Sequence, residues 1–477
     1  MVRLTFRQFP HLSALLGPQL RLLPLVVVLG LAAAALEGFG IGLIIPMLGI
    51  ILESSGEAEF GGLSAYLAAI GGDMDDATRL IFIGSAIFLL ILLKNLFAFA
   101  NSLLSGLIYG KAGHAIRTAL SERLLRIGYP FFLEEDPGRL LNIVSTESWR
   151  AADAVDAFLN IVINACAAIT MYLFLLLISW QLTLLVTAAL LIVQVLHAWL
   201  SSALRGASRT VTDRNGELAT RMLHLVNAGQ LVRMFNQEAY EQGRFSSASE
   251  SVRRAAFSLH RRLSGLQPLT EVLYAAVFLA VVAGSWYFQM SFPVVTAFLI
   301  LLYRLQPYVR NLQASWSKLQ SWQGSLESVE WLLDPAGKPP APAGALPPPV
   351  GATGIHFENV SFAYDGDRKA AGVLEGLSFH VESGKATALV GRSGSGKTTI
   401  VKLLTRLIEP TSGRILIGPH DLAVIDPIAL RGRMAMASQD LELVDGTIRE
   451  NIAYGRPDAQ PADIEAAAVL SEAHGFI

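Results

Sequence analysis

Six stretches of this chain, near residues 22–52, 79–109, 154–179, 181–203, 270–290 and 293–318, are apolar over lengths that cross a bilayer, which takes about 20 apolar residues per helix. Charged residues make up only 16% of the chain and the mean hydropathy is +0.47, against about 25% charged in a soluble domain. Much of the chain must therefore sit in lipid. Several stretches overrun the bilayer, so their helices are expected to continue into the aqueous phase.

The connecting segments fix an orientation. Residues 53–77 carry Glu53, Glu57, Glu59, Asp73, Asp75 and Asp76 and no Lys or Arg. The next long connection carries Lys111, Arg117, Arg123, Arg126, Arg139 and Arg150, and the one between the fourth and fifth stretches holds ten arginines from Arg205 to Arg262. By the positive-inside rule both long basic loops, and both ends of this domain, face the cytoplasm. Apolar residues in these loops keep helical spacing, as in Ile116, Leu120, Leu124, Ile127 and in Leu218, Met222, Leu225, Val226. Each loop turns at a short mixed segment, Pro130–Gly138 and Val232–Glu238. The aromatics Phe131 and Phe132 either pin their own turn or form a knob for a soluble domain.

Residues 1–21 mix Arg3, Arg7 and Arg21 with Phe6, Phe9, Leu12, Leu15 and Leu16, a pattern expected of an interfacial amphipathic segment. A cleavable signal is the competing reading, but the apolar run continues far past any signal core. The single cysteine, Cys166, lies in an apolar run and reads as a small buried hydrophobe. A net charge of −2 argues against a nucleic acid partner.

After a six-span domain at 22–333, residues 334–354 contain seven prolines and four glycines, which predicts a stiff extended linker. Residues 355–477 form a separate soluble segment. It opens with two strand-like runs, Ile355–Asn359 and Val360–Tyr364, and Asp365-Gly366 is a turn signal. Further on stands Gly391-Arg392-Ser393-Gly394-Ser395-Gly396-Lys397-Thr398, a glycine, four residues, then Gly-Lys-Thr. Ala386–Val390 before it reads as a buried strand, and Ile400, Leu403, Leu404 and Leu407 after it recur at helical spacing. Strand, loop and helix in this order make a phosphate-binding loop. Its backbone N–H groups cradle anions at a positive helix N-terminus. Lys397 is placed for the β and γ phosphates of a nucleoside triphosphate, and the Thr398 hydroxyl for Mg²⁺.

Six spans, two long cytoplasmic helical loops and a C-terminal phosphate loop together resemble an ABC transporter half-molecule of the exporter type. Phe357–Tyr364 is similar to that family's adenine-stacking loop, with Tyr364 as platform; an ordinary strand aromatic is the plainer reading. Ser438-Gln439-Asp440 resembles its glutamine loop, where Gln439 would sense the γ-phosphate through Mg²⁺ and the attacking water, although a loop amide is the bland alternative. Asp445–Ile452 looks like the stretch that receives coupling helices, and Phe131-Phe132 with Gly138–Asn142 like the first coupling loop. The resemblance implies an all-α six-helix transmembrane domain followed by an incomplete α/β P-loop nucleotide-binding domain. It also implies ATP and Mg²⁺ as cofactors, with Gly391–Thr399 and Tyr364 holding the nucleotide and Lys397 and Gln439 acting in catalysis. The expected setting is the inner (cytoplasmic) membrane, multi-pass, with the nucleotide domain in the cytoplasm. The expected partner is a second half-transporter, more readily an identical copy than a different one, with membrane lipid around both.

The resemblance has a gap. Leu-Ser-Gly-Gly-Gln, an apolar strand ending in Asp-Glu, and a switch histidine do not occur in these residues; Leu470–Gly475 is not a signature. The expectation is a fragment that binds ATP without normal turnover, with an unpartnered apolar edge at Ala386–Val390. A membrane-anchored ATP-binding subunit is the alternative to an active pump.

Charges within the spans are functional candidates by default. Arg304 stands about 11 residues into the sixth span, hence roughly 16 Å deep at 1.5 Å per residue, with Tyr303, Gln306 and Tyr308 nearby. It is a candidate for an anionic headgroup or for a structural partner elsewhere. Glu37 and Lys94 fall at similar depth in the first two spans and are expected to pair, with a cargo-binding role as the further possibility. Leu36–Met47 also resembles the opening span of bacterial flippases for lipid-linked oligosaccharides, which tilts the cargo toward a lipid-like, anionic amphiphile.

Overall fold

The computed structural model describes residues 8–52, 75–189, 191, 210–211, 214–218, 220–222, 225–226, 228–351, 353–364, 372–437 and 443–477. The chain forms two compact units, Met1–Arg123 with Gly138–Asp334, and Leu124–Pro137 with Pro335–Ile477.

The first unit is helical. It runs through α1 (Pro10–Leu16), α2 (Leu23–Gly42), α3 (Ile44–Ile51) and the long α4 (Asp76–Arg126). The second unit contributes α5 (Tyr129–Glu134); the first resumes with α6 (Pro137–Asn142) and α7 (Ser148–Ile178), joined by a π turn at Ile143–Glu147. Then follow α8 (Gly229–Met234), α9 (Glu238–Ser264), α10 (Leu266–Tyr287), α11 (Phe292–Ser321) and α12 (Gln323–Leu333). Four helical stretches among the described residues are long and apolar enough to cross a membrane: Gln19–Ile51, Asp76–Arg126, Pro137–Ile178 and Phe292–Ser321. The expected fourth span lies largely outside the described residues. The expected fifth corresponds to a shorter apolar helix, Glu271–Tyr287.

Lipid tails are as apolar as leucine, so these helices associate by close packing rather than by escape from water. Helix α2 shows how. Val26, Gly30, Ala34, Gly38 and Ile41 are buried on one face, four or three residues apart. A side chain at Gly38 would run into the Phe174 ring of α7, which meets Phe39 edge-on at 5.1 Å. Met171, Phe174 and Leu175 of α7 join Phe298, Leu301 and Leu305 of α11 and Val277 and Val281 of α10 in one core. Helix α4 is different: only 6% of its most apolar window is buried, leaving its faces to lipid or to another subunit.

The short helix α1 packs one face on protein. Phe9, Leu12 and Leu16 are buried by protein, and the Glu330 carboxylate of α12 accepts from the backbone N–H groups of His11 and Leu12, both at 2.9 Å. A carboxylate at a helix start satisfies orphan N–H groups and complements the helix dipole.

The second unit holds an antiparallel sheet in the order β2-β1-β3-β4, from β1 (Ile355–Phe362), β2 (Leu374–Val381), β3 (Ser412–Ile417) and β4 (His420–Asp421). The two expected strand runs are one strand with an irregularity at Asn359, whose φ is +50°. That extra residue lets Phe357, Val360 and Phe362 all point inward despite uneven spacing. Helices α13 (Lys397–Leu404), α14 (Pro427–Arg431), α15 (Ile448–Ile452) and α16 (Pro461–Leu470) complete the unit. Ile400 and Leu403 of α13 close the core over the sheet.

The expected strand at Ala386–Val390 is not one. These residues are irregular and exposed, with Val390 at 93%. A central strand needs neighbours for its ladder, and among the described residues none pairs with it.

The proline-rich linker is strapped onto the second unit. Gly128 N donates to Pro339 O and Ala341 N to Arg126 O, while Asp426 N donates to Leu346 O at 2.7 Å. Arg433 donates to Pro349 O at 3.0 Å. Proline cannot donate, so its carbonyls serve as acceptors for this docking.

Candidate functional site

The phosphate loop is built by two glycines and a helix start. Gly394 and Gly396 have φ of +80° and +85°, and Gly396 is the N-cap of α13, a left-handed turn that glycine alone adopts without penalty. A side chain at Gly396 would also press on Leu374 at 2.7 Å. Lys397 folds back over the loop and donates to Gly391 O at 2.9 Å and Arg392 O at 2.7 Å. A cation held at the loop mouth, beside the first N–H groups of α13, fits a phosphate chain. Arg392, Ser393, Ser395 and Thr398 are exposed around it. Thr398 is therefore open to a Mg²⁺ ion; among the described residues there is no cluster of His, Cys or acidic residues to hold a metal without nucleotide. Gln439 lies outside the described residues.

Thr399 is buried, and its hydroxyl is 3.1 Å from the Tyr364 hydroxyl. It thus positions Tyr364, whose ring also meets Phe362 edge-on at 4.9 Å and remains partly exposed. Lys402, one turn along α13, lies 6.0 Å from the Tyr364 ring centre and 5.3 Å from that of Tyr129. Tyr129 opens α5, packs on the sheet core and brings the first long basic loop into this unit. The aromatic turn is thus a docked knob. Sequence reasoning placed the knob at Phe131-Phe132; Phe131 is buried, and Tyr129, two residues earlier, also packs on the sheet core.

The segment after the Gln439 region is ordered by a capping box. Thr447 N and Oγ1 donate to Glu450 at 2.6 and 2.9 Å, and Glu450 N donates back to Thr447 Oγ1. These bonds hold the Glu450 carboxyl below the usual range.

The membrane unit brings Glu37, Lys94 and Arg304 together. Lys94 Nζ is 3.0 Å from Glu37 Oε1, Arg304 Nη1 is 3.6 Å from the same oxygen, and Tyr308 Oη donates to Glu37 Oε2 at 2.7 Å. The expected pairing of the first two spans is present, and the sixth span joins it. Tyr308 lies one turn after Arg304, so the two share a face of α11; that spacing was the available signal for its part in the cluster.

Comparison with known proteins follows the same division. Residues 24–306 match the family model of the ABC transporter transmembrane region, and residues 374–475 match that of the ABC transporter. The chain is 26% identical to the heterocyst differentiation ATP-binding protein HepA of Nostoc sp., over 95% of this chain and 74% of that protein. It is 27% identical to the ATP-dependent lipid A-core flippase of Yersinia pestis, over 91% and 75%. The flippase of Chromohalobacter salexigens is 30% identical over 76% and 63%. A membrane match over more than half the chain, joined to a nucleotide match in the same polypeptide, means that the chain belongs to the ABC transporters, as a half-transporter of the exporter type.

Proposed function

We propose that this protein uses ATP to export or flip a lipid-like, anionic amphiphile across the cytoplasmic membrane. It would work as a six-span half-transporter paired with an identical copy, its nucleotide-binding domain in the cytoplasm. The observation that carries the cargo class is Arg304, held beside Glu37 at bilayer depth with much of its side chain exposed. The lipid A-core flippases among its relatives support the same class.

For ATP, Lys397 would take the β and γ phosphate oxygens, the N–H groups opening α13 would cradle the chain, and Tyr364 would stack on the base. Thr398 and Gln439 would hold Mg²⁺, which supplies charge neutralisation on the transferred phosphoryl group. The test is ATP-driven movement of a fluorescent phosphatidylglycerol between leaflets of proteoliposomes. Transport is expected, and Lys397→Ala should abolish both transport and binding of a fluorescent ATP analogue. Equal movement of phosphatidylglycerol and phosphatidylcholine would sink the cargo class.

A second reading is a membrane-anchored ATP-binding subunit without its own turnover. It is favoured by the exposed Ala386–Val390 run, which no strand among the described residues pairs. On this reading the 477-residue chain binds the ATP analogue and releases no phosphate.

A further inference from the structure

The charges around Glu37 do not cancel. One carboxylate meets two cations, Lys94 and Arg304, so the cluster carries one positive charge in excess. Among the described residues these are the only charged groups paired with Glu37. In a medium of low dielectric an uncompensated charge is costly and calls for a counterion.

The two cations are held unequally. Lys94 is 22% exposed and sits at hydrogen-bonding distance, 3.0 Å. Arg304 is 56% exposed and stands off at 3.6 Å. Lys94 is therefore the anchor, and Arg304 is loosely held. A guanidinium offers a planar fork of donors that matches a phosphate, and Arg304 Nη1 stands 3.6 Å from Glu37, beyond hydrogen-bonding distance. The neighbouring Tyr303 ring is 73% exposed, which gives an acyl or headgroup surface beside that fork.

The backbone at this level is also weakened. Pro307 lies inside α11, between Arg304 and Tyr308. It has no N–H for the Tyr303 carbonyl, four residues earlier. Glu37 thus ties α11 on both sides of the proline, through Arg304 before it and Tyr308 after it.

We infer that Glu37 is a built-in stand-in for the cargo's anionic group, holding Arg304 when no cargo is bound and yielding it to a singly charged phosphodiester headgroup. The exchange swaps one anion for another at Arg304, leaves Lys94 and Tyr308 on Glu37, and brings the cluster to zero net charge. It also unties α11 on one side of Pro307, so binding is linked to movement of that helix. This inference deepens the proposed anionic-cargo reading and rests on it. It adds a sign that a simple binding pocket lacks: Glu37 opposes cargo binding.

The test uses the full 477-residue chain in detergent micelles without ATP. A fluorescent phosphatidylglycerol is titrated in, read by energy transfer from tryptophan, with phosphatidylcholine as the zwitterionic control. Wild type is expected to prefer phosphatidylglycerol, and Arg304→Gln to lose the preference. Glu37→Gln should bind phosphatidylglycerol several-fold more tightly, and Lys94→Gln several-fold more weakly. The double variant Glu37→Gln/Lys94→Gln restores the net charge with Arg304 free, and should bind at least as tightly as wild type. If Glu37→Gln alone fails to fold, the double variant carries the test. Unchanged or weaker binding by Glu37→Gln, or binding weaker than wild type by the double variant, overturns the inference. Inorganic phosphate at millimolar concentration is expected not to compete; displacement by it would overturn the lipid assignment. Because no ATP is used, a chain that does not pump can still pass. Failure of ATP-driven flipping with this binding pattern intact would count against the proposed function alone.

Discussion

Arg406 in the soluble unit and Glu37 in the membrane unit are both nearly buried charges, with side chains 3% and 6% exposed. Arg406 donates to Ile425 O, to Ala343 O of the linker and to Glu409 at 2.8 Å. The Arg406 guanidinium there is taken up by one carboxylate and by backbone carbonyls inside the fold, and the neighbouring Arg431 donates to Thr405 O and Arg406 O. Glu37 collects two cations and a tyrosine hydroxyl, and one cation remains largely exposed. Both hubs draw together segments far apart in the chain. What separates them is closure: at Arg406 the buried cation spends its donors inside the fold, whereas at Glu37 one cation stays largely exposed and open to a ligand.

The largest expected effect is at the closed hub. Arg406→Met should destabilise the second unit by about 2–5 kcal/mol, since it leaves the Ile425 and Ala343 carbonyls without their donor, at roughly 1–3 kcal/mol for each buried acceptor. Arg406 also has a φ of +51° just past α13, in a Schellman turn where Leu407 N donates to Lys402 O. Arg406→Gly should therefore recover roughly 1–2 kcal/mol relative to the methionine variant by releasing left-handed strain. Hydrogen exchange at the Ala345, Leu346 and Asp426 amides, which fasten the linker, reads the effect locally. Wild-type protection in Arg406→Met would erase the contrast between the hubs.

Next comes the open hub. Glu37→Lys and Lys94→Glu should each cost about 2.5–3.5 kcal/mol, the scale of an unpaired charge at mid-bilayer. The double reversal should recover part of that and not all, because a lysine at 37 faces Arg304 and gives Tyr308 no acceptor. Thermal unfolding in detergent checks this, and rescue of neither single reversal would mean that the 37–94 pairing does not contribute.

How legible these hubs were follows from their physics. The phosphate loop was readable because glycine, lysine and threonine at fixed spacing have few other uses. The Glu37–Lys94 pair was readable because a charge in a span must find a partner, and depth can be counted at 1.5 Å per residue. Arg304 joined them only in three dimensions, since rotation of α11 about its axis is set by packing of Phe298, Leu301 and Leu305. Arg406 was invisible: an arginine after a helix reads as a surface residue, and nothing local says that linker carbonyls will cover it. The Ala386–Val390 strand was misread for the converse reason. An apolar run forms a strand only where a neighbour supplies the ladder, which is information held elsewhere.

A smaller effect is expected at Lys402, a half-buried cation between the Tyr129 and Tyr364 rings. Such contacts contribute about 0.5–1 kcal/mol. Lys402→Met should lower affinity for a fluorescent ATP analogue by roughly two- to fivefold and speed amide exchange in α5. If ATP affinity falls without any change at α5, Lys402 serves the nucleotide alone and does not link it to the loop.

The smallest effect belongs to a charge that is exposed rather than buried, and it separates titration from burial. The backbone N–H of Thr447 and then its hydroxyl hold the Glu450 carboxyl below its ordinary value. A folded-state pKa below the unfolded one means that ionised Glu450 stabilises α15 at neutral pH. That contribution is complete above the ordinary carboxylate range and is lost as pH falls through the depressed value. Protection of the Ala453 amide, which donates to Arg449 O, should therefore decline only on the acid side. In Glu450→Gln the same amide should show lower protection at pH 7 and no acid-side decline. The linker amides fastened at the Arg406 hub should show no such decline. A parallel acid-side loss at Ala453 and at Ala345 would mean that the two segments open together, and that the closed hub is not an independent fastening.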